Sequence, residues 1–248
     1  MKKFFSILLF ALLFASASWG QNQLSNADSA RLIIDKYLEI LRHDAIKADS
    51  MLYIESIVVS RSNTDDTCVL KRWYLAPNCY RVELWNRDTL LFGLMTDGLT
   101  IHKRITKDEK RWEDISISEF MDLFPGYDFH GPFAHYKVLG WDIRYEGIWN
   151  FNGHEVYKIF VQAPHYYDRY YLFEKESNLL FLIDEQETLE PNTYVQNSSH
   201  VDWRAYHEYT PLGFALFPSI ESYQIDGEIT TIFSNIRYVA KDEKIFKK

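Results

Sequence analysis

Residues 70–101 have the sequence LKRWYLAPNCYRVELWNRDTLLFGLMTDGLTI, in which apolar and polar side chains alternate between short groups of turn-forming residues. The turn-forming groups are APN at 76–78, NRD at 86–88 and DG at 97–98. An alternation with a period of two predicts β-strands, and connections this short join antiparallel neighbours. The segment therefore predicts a meander of antiparallel strands.

The same alternation extends through most of the chain outside this segment. It predicts strands at 52–59, 69–75, 80–85, 90–95 and 99–105, and again at 143–149, 155–162, 169–174, 179–184, 201–209, 219–225 and 228–238. A doubly wound fold would need a helix between each pair of strands, and the sequence contains only two helical stretches. We therefore predict an α+β protein built on one antiparallel sheet.

Two stretches have the period of an α-helix. The first covers residues 24–42, where Ser25 and Asp28 resemble a capping box and the apolar face contains Leu32, Ile33, Tyr37, Ile40 and Leu41. The second begins at Ser116, has Glu119 as its capping partner and ends before Pro125; its apolar stripe contains Ile117, Phe120, Met121 and Phe124. We predict that the first helix packs on the sheet and that the second covers it.

The N-terminus has the layout of a secretory signal peptide. Lys2 and Lys3 precede an apolar run at 4–14, which is followed by small residues and a candidate cleavage site after Gly20, with Ala17 as a second candidate. The apolar run is too short to span a bilayer. We therefore predict that residues 1–20 are removed on export and that residues 21–248 form a single periplasmic or secreted domain.

Composition limits the class of partner. Without residues 1–20 the chain has 25 basic and 35 acidic side chains, a formal charge of −10, which argues against binding to a phosphate backbone. Aromatic residues make up 17% of the chain, a content suited to wide sheets and to the lining of an apolar cavity. We expect a monomer that binds an apolar ligand and no nucleic acid.

The sequence lacks the common catalytic motifs. It contains no Gly-x-Ser-x-Gly elbow, no His-Glu-x-x-His zinc helix, no phosphate loop and no dinucleotide fingerprint. The eight histidines are scattered, whereas a metal site needs three or four converging ligands. We therefore expect no enzyme activity, no metal and no cofactor. Cys68 and Cys79 are the two cysteines, and the sequence leaves open whether they form a disulfide.

Three stretches together resemble one known family. They are the helix at 24–42 with the strand after it, the meander at 70–101 with its Pro-turn-Tyr-Arg and Asp-Gly hairpins, and the final run ITTIFSNIRYVAKDEKIF at 229–246. The run at 152–184 fits as well. In this order they resemble the LolA-like superfamily, the periplasmic lipoprotein carriers and their relatives. The resemblance implies an unclosed, or half, β-barrel whose concave face is covered by helices.

The resemblance also implies a function and a site. A LolA-like protein would hold lipoprotein acyl chains or other lipids on the concave face, and envelope membrane proteins are further possible partners. Strand parity assigns the apolar wall of that hollow to Trp73, Leu75, Tyr80, Val82, Leu84, Tyr157, Ile159 and Val161, with Phe120, Met121 and Phe124 on the covering helix. Arg81 is the candidate for the family's gating arginine.

A second interpretation of the same pattern has no ligand. The helices could fill the hollow completely, which would leave a secreted cell-envelope module that binds another protein through a sheet edge or its tyrosine-rich strand. The sequence does not decide whether the hollow is open or filled.

Overall fold

The computed structural model describes residues 25–45, 50–61, 67–76, 79–105, 112–116, 133–134, 136–151, 153–162, 168–185, 201–225 and 228–247. These residues form one α-helix and thirteen strands, with short 3₁₀ helices at His43–Ala45 and Glu243–Phe246. The elements are α1 (Asn26–Leu41), β1 (Met51–Ser60), β2 (Cys68–Leu75), β3 (Cys79–Asn86), β4 (Thr89–Thr96), β5 (Ile101–Ile105), β6 (Glu113–Ile115), β7 (Asp142–Phe151), β8 (His154–Gln162), β9 (Arg169–Glu174), β10 (Leu180–Glu185), β11 (Val201–Leu212), β12 (Ala215–Ile225) and β13 (Glu228–Val239).

Helix α1 begins and ends as its sequence predicts. The Ser25 hydroxyl accepts a hydrogen bond from the Asp28 amide at 3.1 Å, and the chain leaves the helix through Arg42 in the left-handed conformation. The buried face is Ala30, Ile34, Tyr37 and Leu41. This spacing follows the 3.6-residue period more closely than the predicted face, and Leu32, which we expected inside, is 57% exposed.

All thirteen strands belong to one antiparallel sheet. Its order is β6-β5-β4-β3-β2-β1-β13-β12-β11-β10-β9-β8-β7, so each strand pairs with its neighbour in sequence except where β1 meets β13. That central ladder pairs ten residues of each strand, from Met51 with Val239 to Ser60 with Thr230. The sheet does not close, because among the described strands β6 and β7 remain its two edges. The predicted antiparallel, unclosed sheet is confirmed.

Helix α1 packs against one face of β7–β12, called the helix face below. Ile34 and Tyr37 meet Ile159 and Tyr171 there in a buried cluster. Phe133 is fully buried in this cluster, with its centroid 4.6 Å from that of Tyr171 and 5.8 Å from that of Phe173. The second predicted helix, with Phe120, Met121 and Phe124, lies outside the described residues.

The opposite face carries its own apolar groups. Met51 and Leu75 bury Phe246 of the C-terminal 3₁₀ helix on the β1–β3 half of that face. On the other half, Val156, Leu172, Leu182 and Ala205 form a second cluster, against which Phe181 and Trp203 pack. Both faces of the sheet are therefore apolar over β8–β11, which is the part of the fold that positions the candidate site.

Candidate functional site

Six of the predicted wall residues lie on the helix face. Directly paired residues of neighbouring strands lie on the same face, so the helix face can be followed across the sheet from Tyr206 in the α1 cluster to Asn86 on β3. The residues between them are Glu221, Ile232, Val58 and Cys68. On β3, the residues at alternate positions from Asn86 lie on the helix face: Leu84, Val82 and Tyr80. On β8, the helix face contains the members of the α1 cluster: Tyr157, Ile159 and Val161.

The β8 part of that wall is packed with protein side chains. Ile159 is 0% and Val161 2% exposed, and both lie in the cluster that α1 and Phe133 cover. On β3, Val82 is buried against Leu94. The helix face over β8 is therefore protein core in this structure.

Trp73 and Leu75 lie on the opposite face from the other six residues, which corrects their predicted place. Leu75 pairs with Cys79, so three residues separate the paired ends of β2 and β3. The predicted shared face of Leu75 and Tyr80 requires an even number, such as two. A change of one residue in register moves every side chain of a strand to the other face. Both residues pack in the group that holds the C-terminal 3₁₀ helix.

A cavity of about 490 Å³ lies on the opposite face between the β7–β8 hairpin and β11. It falls within the volume range of typical small-molecule sites, ~300–1,000 Å³. Most of its lining is aromatic or aliphatic and only three side chains carry titratable groups other than phenol. The lining residues are Trp149, Phe151, Lys158, Tyr170, Leu172, Phe181, Leu182, Asp184, Trp203, Ala205 and His207.

Strand register and one bulge build this cavity. Leu172 pairs with Leu182, and Leu182 with Ala205, which gives three neighbouring strands a continuous apolar floor. A register shift between Leu180 and Leu182 leaves Phe181 as an extra residue, which packs with the floor rather than beneath α1. The Phe181 ring then meets Phe151, with 6.1 Å between centroids, so that the hairpin tip bounds one end of the cavity.

The other end of the cavity is polar. Asp184 pairs with Tyr170 on one side and with Trp203 on the other, so these three side chains form one row across β9–β11. Burial raises the pKa of the Asp184 carboxyl, while the charge of Lys158 lowers it in part. The Lys158 ammonium lies over two rings, 3.8 Å from the centroid of Trp149 and 3.9 Å from that of Tyr170.

Three hydrogen bonds fix the β11 side of the cavity. The Trp203 indole N–H donates to Gln224 Oε1 at 2.8 Å, which sets the plane of the ring. His207 Nε2 lies 3.0 Å from Ser222 Oγ, and Ser222 in turn lies 3.0 Å from Thr231 Oγ1. These side chains therefore form a preorganised wall.

The described residues contain no group of three or more His, Cys, Asp or Glu side chains that could hold a metal ion. Cys68 and Cys79 are free thiols. Cys68 opposes Asn86 and Cys79 opposes Leu75 on the same ladder, so they lie seven positions apart, roughly 23 Å at about 3.3 Å per residue. A disulfide cannot bridge that separation.

Within the described part of the chain, no helix has both the length and the apolar character needed to cross a membrane.

Many solved structures are similar to this chain, and three of them show the extent of the similarity. A DUF1329 family protein from Desulfovibrio piger superposes with a TM-score of 0.64 at 12% identity, over 90% of this chain and 98% of that one. A putative outer membrane lipoprotein-sorting protein domain from Vibrio parahaemolyticus gives 0.58 at 13% identity, over 90% and 97%. A LolA superfamily protein from Nitrosomonas europaea gives 0.56 at 12% identity, over 88% and 97%.

The fold is LolA-like. No protein-family model matches the sequence. No curated protein is significantly similar to it in sequence. At 12–13% identity the comparison establishes the LolA-like fold alone, so the ligand has to be argued from the side chains.

Arg81, the predicted gating residue, lies on the face of the LolA-like sheet opposite α1. Its guanidinium pairs with the buried Glu83 carboxylate and donates from Nη1 to the Ile245 carbonyl at 2.7 Å. It also lies over the rings of Trp73 and Trp112, at 5.9 and 5.1 Å from their centroids. These contacts hold the C-terminal 3₁₀ helix on the sheet.

The cavity residues of the LolA-like sheet were not predicted as a site. The sequence contained one indication of this cavity: Leu172, Leu182 and Ala205 are apolar although they lie on the face of their strands that points away from the α1 cluster. Strands with apolar residues at both parities indicate burial on both faces. The position of Phe181 depends on a bulge, which the alternation pattern alone does not reveal.

Proposed function

We propose that this chain is an exported binding protein that carries an acyl chain or another apolar ligand in the cavity on the opposite face. One observation carries the proposal: a LolA-like sheet holds a 490 Å³ cavity with an aliphatic floor and aromatic walls. Binding there needs no catalytic group. The proposal includes the signal peptide at 1–20, one domain at 21–248 and a place in the periplasm or outside the cell.

The energetics of such a site are favourable. Burial of one methylene group stabilises a bound chain by about 0.8 kcal/mol, so ten methylenes give about 8 kcal/mol before costs. A gain of about 8 kcal/mol corresponds to a Kd of about 1 µM. Lost motion of the ligand and of lining side chains offsets part of it, so ten methylenes alone give an affinity weaker than about 1 µM. Lipoprotein acyl chains and free lipids share this chemistry, and both remain candidates for the cargo.

Native mass spectrometry with organic extraction tests the proposal on the chain expressed for export and purified without detergent. We expect a co-purifying lipid or fatty acid, or saturable uptake of an environment-sensitive fatty-acid probe. A clean apo mass together with no probe uptake would remove the carrier function.

Matched variants on β7 locate the ligand. Trp149 and Ile148 are neighbours with similar exposure, 50% and 48%, but Trp149 lines the cavity while Ile148 pairs with Tyr157 of the helix face. Trp149→Ser should weaken binding, and Ile148→Ser should leave it unchanged. Loss of binding in Ile148→Ser alone would place the ligand on the helix face.

A protein-interaction function is the second candidate. It is favoured by β7, an edge strand among the described residues, which leaves Ile148 and Trp149 half exposed beside an unpaired backbone edge. An added strand from a partner protein would pair with that edge. A stoichiometric partner that the ligand-free chain captures from envelope extracts would favour this function if Ile148→Pro abolishes the capture.

A further inference from the structure

Two opposite charges face the cavity without a hydrogen bond or ion pair to any residue that the structure describes. The Lys158 ammonium rests on the Trp149 and Tyr170 rings, and it makes no hydrogen bond or ion pair with any described residue. The Asp184 carboxyl faces the same cavity and likewise has no hydrogen bond or ion pair within the described ranges. The two groups act on each other only through their charges, so both remain available to a complementary ligand group.

The two charges belong to the same end of the cavity. Asp184 pairs with Tyr170 across β9 and β10, and the Lys158 ammonium lies on the Tyr170 ring. The far end, where Phe151 meets Phe181, is apolar. A ligand that matches both ends therefore has a polar head near Tyr170 and a hydrocarbon chain that runs over the Leu172–Leu182 floor toward the hairpin tip.

The charge pair excludes the simpler head groups. A carboxylate head beside Lys158 would be repelled by Asp184, and a cationic head beside Asp184 would be repelled by Lys158. A neutral head would leave each charge with only the other as its counter-charge, beyond the distance of an ion pair. Partly apolar walls strengthen each of these effects relative to bulk water.

We infer that the cavity selects an amphiphile with a zwitterionic head, its cationic group at Asp184 and its anionic group at Lys158. The inference rests on the proposed function and adds the chemical class of the ligand. His207 takes no part in the charge match, because it lies four residues beyond Trp203 on β11 and its Nε2 is engaged with Ser222.

A chain-matched series tests the head group. Calorimetry at submicellar concentration would compare four C12 probes on the exported chain: dodecylphosphocholine, dodecanoate, dodecyltrimethylammonium and monolauroylglycerol. We expect dodecylphosphocholine to bind tightest, by about fivefold over each of the others, since one partly exposed charge pair supplies up to about that factor.

Two variants assign the charges. Asp184→Asn and Lys158→Met should each weaken dodecylphosphocholine about fivefold and leave monolauroylglycerol unchanged. Lys175→Met and Glu155→Gln are the controls, because these two residues pair with each other at 3.1 Å outside the cavity. Lys175→Met changes the net charge as Lys158→Met does, and Glu155→Gln changes it as Asp184→Asn does. Neither control should alter any of the four affinities.

The outcomes separate the two proposals. Equal affinity for all four probes, or an unchanged dodecylphosphocholine affinity in Asp184→Asn, would overturn the zwitterionic head while leaving the apolar carrier intact. Dodecyltrimethylammonium binding as tightly as dodecylphosphocholine would overturn the role of Lys158. Failure of every probe to bind would refute the carrier function, and the head-group inference with it.

Discussion

Filling the cavity floor should shorten the chain that the protein accepts. Ala205 is buried between its cross-strand partners Leu182 and Ser222, and its methyl group faces the cavity. Ala205→Phe adds a ring that occupies the space of roughly four methylene groups, each worth about 0.8 kcal/mol on burial. A C12 ligand should therefore lose about 3 kcal/mol, or about a hundredfold in affinity. A C6 ligand with the same head should lose little.

Calorimetry with chain lengths from C6 to C12 measures this effect. Thr210→Phe is the matched control, since it places the same ring at an exposed position of the same strand. Thermal unfolding of both variants separates a filled cavity from a damaged sheet. An equal loss of affinity at every chain length, or no loss at C12 in a folded Ala205→Phe protein, would refute the assigned floor.

Three further changes test other parts of the structure. Phe133→Ala should lower the free energy of unfolding by about 3–5 kcal/mol in urea titrations, because five rings surround this side chain. It should not alter ligand affinity, and increased ligand uptake would move the site to the helix face. Arg81→Met should lower the free energy of unfolding by about 3 kcal/mol, because it leaves the buried Glu83 carboxylate without its counter-charge. Adding Glu83→Gln should restore part of that stability, and no recovery in the double variant would contradict the pairing. Burial raises the pKa of Asp184, so the folded, ligand-free protein binds a proton at this carboxyl more tightly than the unfolded chain and gains stability as pH falls through the folded pKa. Asp184→Asn should therefore be more stable than the parent protein near neutral pH by less than about 1 kcal/mol, and the difference in Tm should narrow toward about pH 4. A Tm difference that widens as pH falls would contradict the direction of this shift.

The general architecture could be predicted because local signals and tertiary packing agree. Ser25 and Asp28 mark the start of α1, and alternation places most strands within a few residues of their observed ends. The start of β5 was expected at Leu99, but the Asp97 carboxylate accepts from the amides of Leu99 and Thr100 and holds both in the turn. Local side-chain hydrogen bonds of this kind compete with strand pairing.

The candidate site was harder to predict because it depends on register. One extra residue in the turn after Leu75 moved Trp73 and Leu75 to the opposite face. The bulge at Phe181 brought an aromatic ring to the cavity without any change in composition. The charges of Lys158 and Asp184 act on each other because β8, β9 and β10 are successive in the sheet and Tyr170 lies between them.

The pairing of β1 with β13 also determines when the sheet can be completed. The two strands are separated by most of the chain, yet their ten-residue ladder joins the β2–β6 meander to the β7–β12 meander. Each meander contains only neighbouring strands and can assemble early, whereas closure of this long loop is slow and has a large entropic cost. A nascent chain would therefore hold two unjoined half-sheets until β13 has been synthesised and is free to pair.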